Sequence, residues 1–285
     1  MKVLVTGAGG TLGREIVAHL GGAGWSVRAH DRTPLDPAVA DEVLTGELLD
    51  RELLAPALDG VDAVVHAAAL PSPYVAPEHE VFGSNIQGAY LVLDAAGRAG
   101  IGRVVNISSL SANGFAFSRH GVSPRTVPVT EEHPFVGDDV YGLSKYLGET
   151  VAAAVSRRYG TTVVSLRFPF LGTGERLSRH IARVHEDPGY DSGSLWGWLD
   201  SRDAARAIGA ALTAGIDGHP VINVAAPDTT ALEPTAELLR RYHPTARLTE
   251  PVDGFAVPFS LRRCHELLDF APVHTWRPAA GGRTA

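Results

Sequence analysis

Cysteine is almost missing from this chain. Cys264 stands alone among 285 residues, so no internal disulfide can form and no thiolate cluster can hold a metal. No apolar run approaches the ~20 residues that a helix needs to cross a bilayer, so no membrane partnership is expected. A basic excess is missing too. The net charge is −7, which argues against a surface for nucleic acid. The twelve histidines are scattered without an HExxH-like spacing and read as surface or hydrogen-bonded groups, so no metal is expected. What remains is ordinary for a globular protein: 45% hydrophobic and 20% charged residues, in a length that suits one unit or one large domain with a small appendage. The opening Met1-Lys2-Val3-Leu4-Val5 reads as a strand running into a glycine loop rather than a signal peptide. With a lone cysteine, the expected location is the cytoplasm.

Along the chain, short apolar runs alternate with helical stretches. Strands are predicted at 2–6, 26–30, 42–44 (the weakest), 63–66, 103–108, 162–167 and 221–224. Helices are predicted at 12–20, 50–58, 78–99 and 139–159. Apolar strands separated by helices mean parallel strands buried on both faces. The expected fold class is therefore α/β: a Rossmann-type, doubly wound parallel sheet of about seven strands with a small C-terminal substrate lobe. Two stretches break the alternation. Residues 114–134 follow the fifth strand, and so lie at the carboxyl edge where open α/β sheets bind ligands. Residues 172–198 show no clear period. The expected division is 1–170 plus 199–227 for the nucleotide-binding domain and 171–198 plus 228–285 for the lobe. Residues 279–285 are expected to be a mobile tail.

The first strand leads into Thr6-Gly7-Ala8-Gly9-Gly10-Thr11-Leu12-Gly13. Gly7, Gly10 and Gly13 permit a tight turn and close approach of backbone to a pyrophosphate, with Thr11 and Leu12 opening the helix whose positive end faces it. Placement between strand and helix, more than spacing, makes this a dinucleotide loop. Asp31 ends the second strand, where a carboxylate accepts from adenosine ribose hydroxyls and repels a 2′-phosphate. Arg32 pulls the other way, since an arginine accommodates that phosphate. The acid comes first, so NAD is favoured over NADP.

Tyr141 and Lys145 lie four residues apart near a helix start, about one turn, and so face the same way. A phenol normally loses its proton near pH ~10. An adjacent ammonium favours the phenolate, and so would an oxidised nicotinamide ring. Tyr141 is thereby expected to act as base for alcohol oxidation or acid for ketone reduction near neutral pH. Ser108-Ser109 ends the fifth strand, and a hydroxyl there can donate to a substrate oxygen.

These motifs resemble the extended short-chain dehydrogenase/reductases, the NAD-dependent epimerase/dehydratase group. The segments TGAGGTLG, VDAVVHAAA, FGSNIQGAYLVLDAA, RVVNISS, DDVYGLSKYLGE and WLDSRDAARAI carry the likeness from Met1 to about Asn223. The resemblance implies Ser109, Tyr141 and Lys145 as catalytic residues. It implies Asp31 on the ribose and Glu47, beside Leu48, on the adenine amine, although Asp is usual there. His66, Ala67 and Ala68 would line the cofactor, Asn85 would lie near it or the substrate, and Phe168-Pro169 would pack beside the nicotinamide. Asp203 looks structural. Asn113 stands where the family usually has Tyr, and Ser111 lies beside it; both are taken as substrate contacts. The segments DRTPLDP and YGLSK are similar to uronate dehydrogenases, but Leu110-Ser111 replaces the Asn-His expected of that group.

The function expected is hydride transfer to or from a secondary alcohol, ketone or sugar carbon, with Arg176 or Arg179 able to hold a carboxylate bidentately. An epimerase of a nucleotide-activated sugar is the alternative within the family. A cofactor sensor without turnover is the alternative outside it, and would have no need of Ser109, Tyr141 and Lys145 together. The partner expected is a small molecule, and the family likeness implies a homodimer through the helices at 78–99 and 139–159.

Overall fold

The computed structural model describes residues 1–277, apart from the Arg51 side chain. The expected tail at 279–285 lies outside the described residues. Eleven strands occur among these residues: β1 (Lys2–Thr6), β2 (Ser26–Asp31), β3 (Glu42–Thr45), β4 (Ala63–His66), β5 (Arg103–Ser109), β6 (Thr126–Val127), β7 (Thr162–Phe168), β8 (Phe170–Gly172), β9 (Trp198–Asp200), β10 (Val221–Asn223) and β11 (Arg247–Leu248). Eight α-helices accompany them: α1 (Thr11–Gly22), α2 (Arg51–Leu58), α3 (Glu78–Arg98), α4 (Val140–Tyr159), α5 (Gly174–Glu186), α6 (Ser201–Thr213), α7 (Thr235–Tyr242) and α8 (Arg262–Leu268).

Seven strands form one parallel sheet in the order β10-β7-β5-β4-β1-β2-β3. The order reverses at β1, so the crossovers before and after it lie on opposite faces, and a crevice opens there at the carboxyl edge. The strands are mostly apolar and buried because both faces are covered. Their period of two divides them cleanly. Val3, Val5, Val65, Val105 and Val164 pack under α1 and α6, while Leu4, Val64, Val104 and Val163 pack under α2, α3 and α4. All seven expected strands are present, and even the weak one at 42–44 is a paired edge strand.

A third apolar cluster lies apart from the sheet. Phe115, Val127, Val129, Val184, Leu195, Trp196, Leu238 and Phe259 come from the chain between β5 and α4, the end of α5, the turn before β9, and the chain after β10. The parallel pair β8–β9 joins this region to the sheet edge. The stretch 172–198, read from sequence as lacking a period, contains α5. This helix buries Leu177, His180 and Val184 along one side. Its many charged residues obscure that period because they occupy the water side.

Buried charge also shapes the sheet's edge. The Arg28 guanidinium caps the end of α2 by donating Nη1 to the carbonyls of Ala57 at 2.9 Å and Asp59 at 2.8 Å. Helices α3 and α4 pack closely where Gly97 faces the ring of Tyr159, whose hydroxyl donates to Asp94 at 2.8 Å. A Cβ on Gly97 would overlap that ring, whereas one on Gly83 of the same helix meets open space. Gly97→Ala is therefore expected to cost about 1–3 kcal/mol of stability. Gly83→Ala should add up to about 1 kcal/mol. Chemical denaturation of both variants checks this; equal effects would contradict the packing.

Candidate active site

The turn after β1 is built for close approach. Gly7 takes φ +71°, and a Cβ there would sit 2.7 Å from the Ala68 backbone. A Cβ on Gly13 would overlap the Gly7 carbonyl oxygen, so α1 can start against the strand only with glycine. Gly10, the N-cap of α1, has no side chain to satisfy the first-turn N–H groups, which stay free for an anion. Asp31 closes the other side. Its Oδ2 accepts from Gly9 N at 2.9 Å and its Oδ1 from Thr33 N at 3.0 Å, fixing the carboxylate at the cleft rim.

This cleft, about 430 Å³, is lined by Gly7, Gly10, Asp31, Arg32, Glu47, Leu48, Ala67 and Ala68, as well as Arg14 and Ser84. Thr11 and Leu12 lie in the first turn of α1 and not on the cleft wall; Leu12 packs on the core. His66 is buried below, its Nδ1 2.9 Å from Thr6 Oγ1. Burial, with a smaller push from the Lys145 charge, lowers its pKa to about 3, so the ring is neutral. Asn85 faces inward as a strut, pairing both ways with the Leu70 backbone and donating to Ser144 Oγ at 3.1 Å. A donor-rich turn, a carboxylate at the strand end and a floor of small residues fit a dinucleotide.

Tyr141 is the second residue of α4, whose N-cap Asp139 accepts from Gly142 N at 2.6 Å. Its phenol is 8% exposed and its ring meets Phe117 edge-on at 5.7 Å. Lys145 Nζ lies 5.8 Å from the centre of that ring and donates to the Ile107 carbonyl at 2.9 Å. Ser109, at the end of β5, accepts from Ser111 N at 3.1 Å.

Protonation here departs from the sequence-based expectation of an acidified phenol. Burial pushes the Tyr141 phenol up to about 12, with the Asp139 carboxylate adding to the rise and the Ser109 hydroxyl opposing it. Burial likewise draws Lys145 down to about 8, with Glu149 opposing. Desolvation, the largest influence on each, disfavours both charged forms. At neutral pH the phenol keeps its proton and most of the amine remains an ammonium.

Tyr141 forms part of the wall of a second cavity, about 560 Å³, with Ser109, Ser111, Phe168 and Pro169. Tyr74, Phe115, Phe117 and Phe170 make it aromatic, and Arg176, His180 and Asp191 add polar groups. Of the residues expected to touch substrate, Ser109, Ser111 and Arg176 line it. Arg179 and Asn113 do not. The Arg179 side chain is 71% exposed on α5, 3.7 Å from Glu175. Asn113 is fully buried, donating to Leu110 O at 3.0 Å and accepting from Arg167 at 3.1 Å. His180, Asp191 and the aromatic walls were not singled out from sequence. A further cavity, about 670 Å³, is lined by residues of α2 and α3 and the loops after them, away from these groups.

Beneath the floor runs a buried network. Arg167 of β7 pairs with Glu149 of α4 through two contacts at 2.8 and 2.7 Å, and Ser108 donates to the same carboxylate at 2.5 Å. Arg167 also reaches Asn113 in the 3-10 turn (Leu110–Asn113) that follows Ser109. One ion pair therefore ties together the strand and helix that carry Ser109, Tyr141 and Lys145. Asp203, read as structural, accepts from Val273 N and His274 N at 3.0 and 2.9 Å, both outside the site.

Comparison with known proteins gives a consistent result. The model of the NAD dependent epimerase/dehydratase family matches residues 3–225. A uronate dehydrogenase of Pseudomonas putida is 34% identical over 171 residues, spanning 58% of this chain and 59% of that protein, less than two thirds of its length. An NAD-dependent glucose-6-phosphate dehydrogenase of Haloferax volcanii is 30% identical over 234 residues, or 78% of this chain and 84% of that one. Among solved structures, a short-chain dehydrogenase/reductase superfamily protein from Agrobacterium tumefaciens with bound NAD superimposes with a TM-score of 0.72. It is 27% identical, and the match covers 96% of this chain and 93% of that one.

The buried network yields a direct test. Glu149→Gln strips Arg167 of its counter-charge inside the protein and should cost about 3–5 kcal/mol. Arg241→Gln, in the solvent-exposed pair with Glu233, should cost under about 1 kcal/mol. Urea midpoints of the two variants read the difference; similar midpoints would mean that the network carries no weight.

Proposed function

This chain belongs to the NAD dependent epimerase/dehydratase family, and from that premise we propose that it is an NAD-dependent sugar dehydrogenase in which Tyr141 moves the proton. The observation that carries this reading is the phenol of Tyr141, buried on the wall of the aromatic cavity, with Lys145 one turn further along α4.

The cleft holds the dinucleotide. Free N–H groups at the start of α1 bind its phosphates, and Asp31 accepts from the adenosine ribose while repelling a 2′-phosphate. Glu47 and Leu48 border the adenine, Ala67 and Ala68 form the floor, and Phe168-Pro169 flank the nicotinamide side. When bound, oxidised NAD would supply the acceptor for one hydride, which carries both electrons. Ser109 Oγ donates to the substrate oxygen and steadies the charge that develops on it. Tyr141 Oη removes the hydroxyl proton in oxidation and returns it in reduction. The Lys145 ammonium lowers the cost of the phenolate from beside the ring and offers N–H donors to the nicotinamide ribose.

The substrate class follows from the relatives together with the cavity. Arg176 on the wall offers a guanidinium to a carboxylate or phosphate, the anionic groups of uronates and sugar phosphates. The lobe formed by 171–198 and 228–285 covers this substrate, while 1–170 and 199–227 carry the cofactor. Two copies pair through α3 and α4, whose outer faces expose Tyr90 and Tyr146.

Tyr141→Phe should leave NAD affinity unchanged and lower kcat on the preferred sugar by about 10²-fold or more. Undiminished turnover would remove the assigned role. Because burial holds the phenol proton on up to about 12, oxidation uses a minor form that grows with pH. Its kcat/KM should climb from about pH 6 to about pH 8, while reduction, which uses the protonated phenol, should not. A flat oxidation profile would contradict this. Asp31→Ala should weaken NAD more than NADP; equal losses by calorimetry would exclude the ribose contact.

A further inference from the structure

We propose that the His180–Asp191 pair reads substrate hydroxyls and commits the cavity to a polyhydroxylated ligand over an apolar alcohol; this rests on the cavity being the substrate site. His180 sits on the buried side of α5, in line with Leu177 and Val184. Asp191 belongs to the 3-10 turn Pro188–Ser194 that follows. Both line the cavity, yet they are only 7% and 6% exposed.

The pair is close but unsatisfied. His180 Nε2 and Asp191 Oδ2 face each other at 3.3 Å, and neither atom has hydrogen-bond geometry to any partner among the described residues. The imidazole has little freedom to improve this. It stacks on Phe170 at 3.8 Å with 9° between planes and meets Tyr190 on another side. Proteins satisfy nearly all of their buried donors and acceptors. A rigid dyad of polar groups on the wall of a cavity favours a polar ligand over an apolar one. Nε2 and Oδ2 are turned toward each other, which leaves the second imidazole nitrogen and second carboxylate oxygen of these two cavity-lining residues for the ligand. A hydroxyl is both donor and acceptor, so neighbouring sugar hydroxyls answer both groups at once. An apolar alcohol answers neither, and strands them.

Two variants test this. His180→Phe keeps the stack on Phe170, and Asp191→Asn keeps the shape of the turn. Binding of glucuronate, glucose 6-phosphate and cyclohexanol to the NAD-loaded protein is followed by calorimetry and thermal shift. We expect at least one of the two sugars to bind wild type, and both variants to weaken it about tenfold or more. NAD affinity and the cyclohexanol response should be unchanged. Wild-type sugar affinity in both variants, equal losses for sugar, NAD and cyclohexanol, or no sugar binding by wild type would each overturn the inference. Sugar binding without hydride transfer would overturn the dehydrogenase assignment while leaving the dyad's role standing.

Discussion

Tyr141 is buried and Lys145 half-buried on one face of α4, and desolvation is the largest influence on the protonation of both. Burial raises the phenol to about 12 and lowers the amine to about 8, so each is held toward its neutral form. Such a pair gains from a ligand that restores the lost stabilisation of charge. A cationic ring beside the phenol is one such ligand, and the glycine turn at the start of α1 sits in the same sheet edge to receive its carrier. Much of the remaining structure serves to keep these two side chains dry and aimed.

The means are unusually polar for an interior. Glu149 follows Lys145 by one further turn of α4 and is locked to Arg167, Ser108 and, through Arg167, Asn113. Removing any one partner leaves a buried charge or amide exposed to an apolar surround, which makes the arrangement all-or-none. The same linkage fixes the turn after β5 and hence Ser109. Strands β5 and β7 are already held in register by the sheet, and this cross-tie adds α4 to them at a fixed position. Above it, the cavity combines aromatic walls with a few charged groups, the composition expected where a ring with both C–H faces and hydroxyls is to be held.

Much of this was legible in the residues. Seven apolar runs at α/β spacing lead to the seven-stranded sheet, because strands covered on both faces leave no doubt about burial. Gly7, Gly13, Asp31, Tyr141 and Lys145 lie on local motifs, and local motifs survive folding intact. What escaped was non-local or masked by composition. Helix α5 carries Leu177 and Val184 at helical spacing, but its arginines and histidines hid the period. Arg179 was indistinguishable from Arg176 until the helix face was known. Asn113 looked like a substrate contact because it neighbours the serines; its amide serves Arg167, from a strand 54 residues away. The direction of the Tyr141 shift was misjudged because a sequence displays neighbouring charge but not the loss of water.

The central claim is that hydride leaves a sugar carbon for NAD at the Tyr141 site. Incubating wild type and Tyr141→Phe with NAD and glucuronate or glucose 6-phosphate deuterated at C1, and weighing the recovered dinucleotide, tests it most directly. The account predicts deuterium on the reduced cofactor from wild type and nearly none from the variant. Label in neither cofactor pool, or equal label in both, would contradict it.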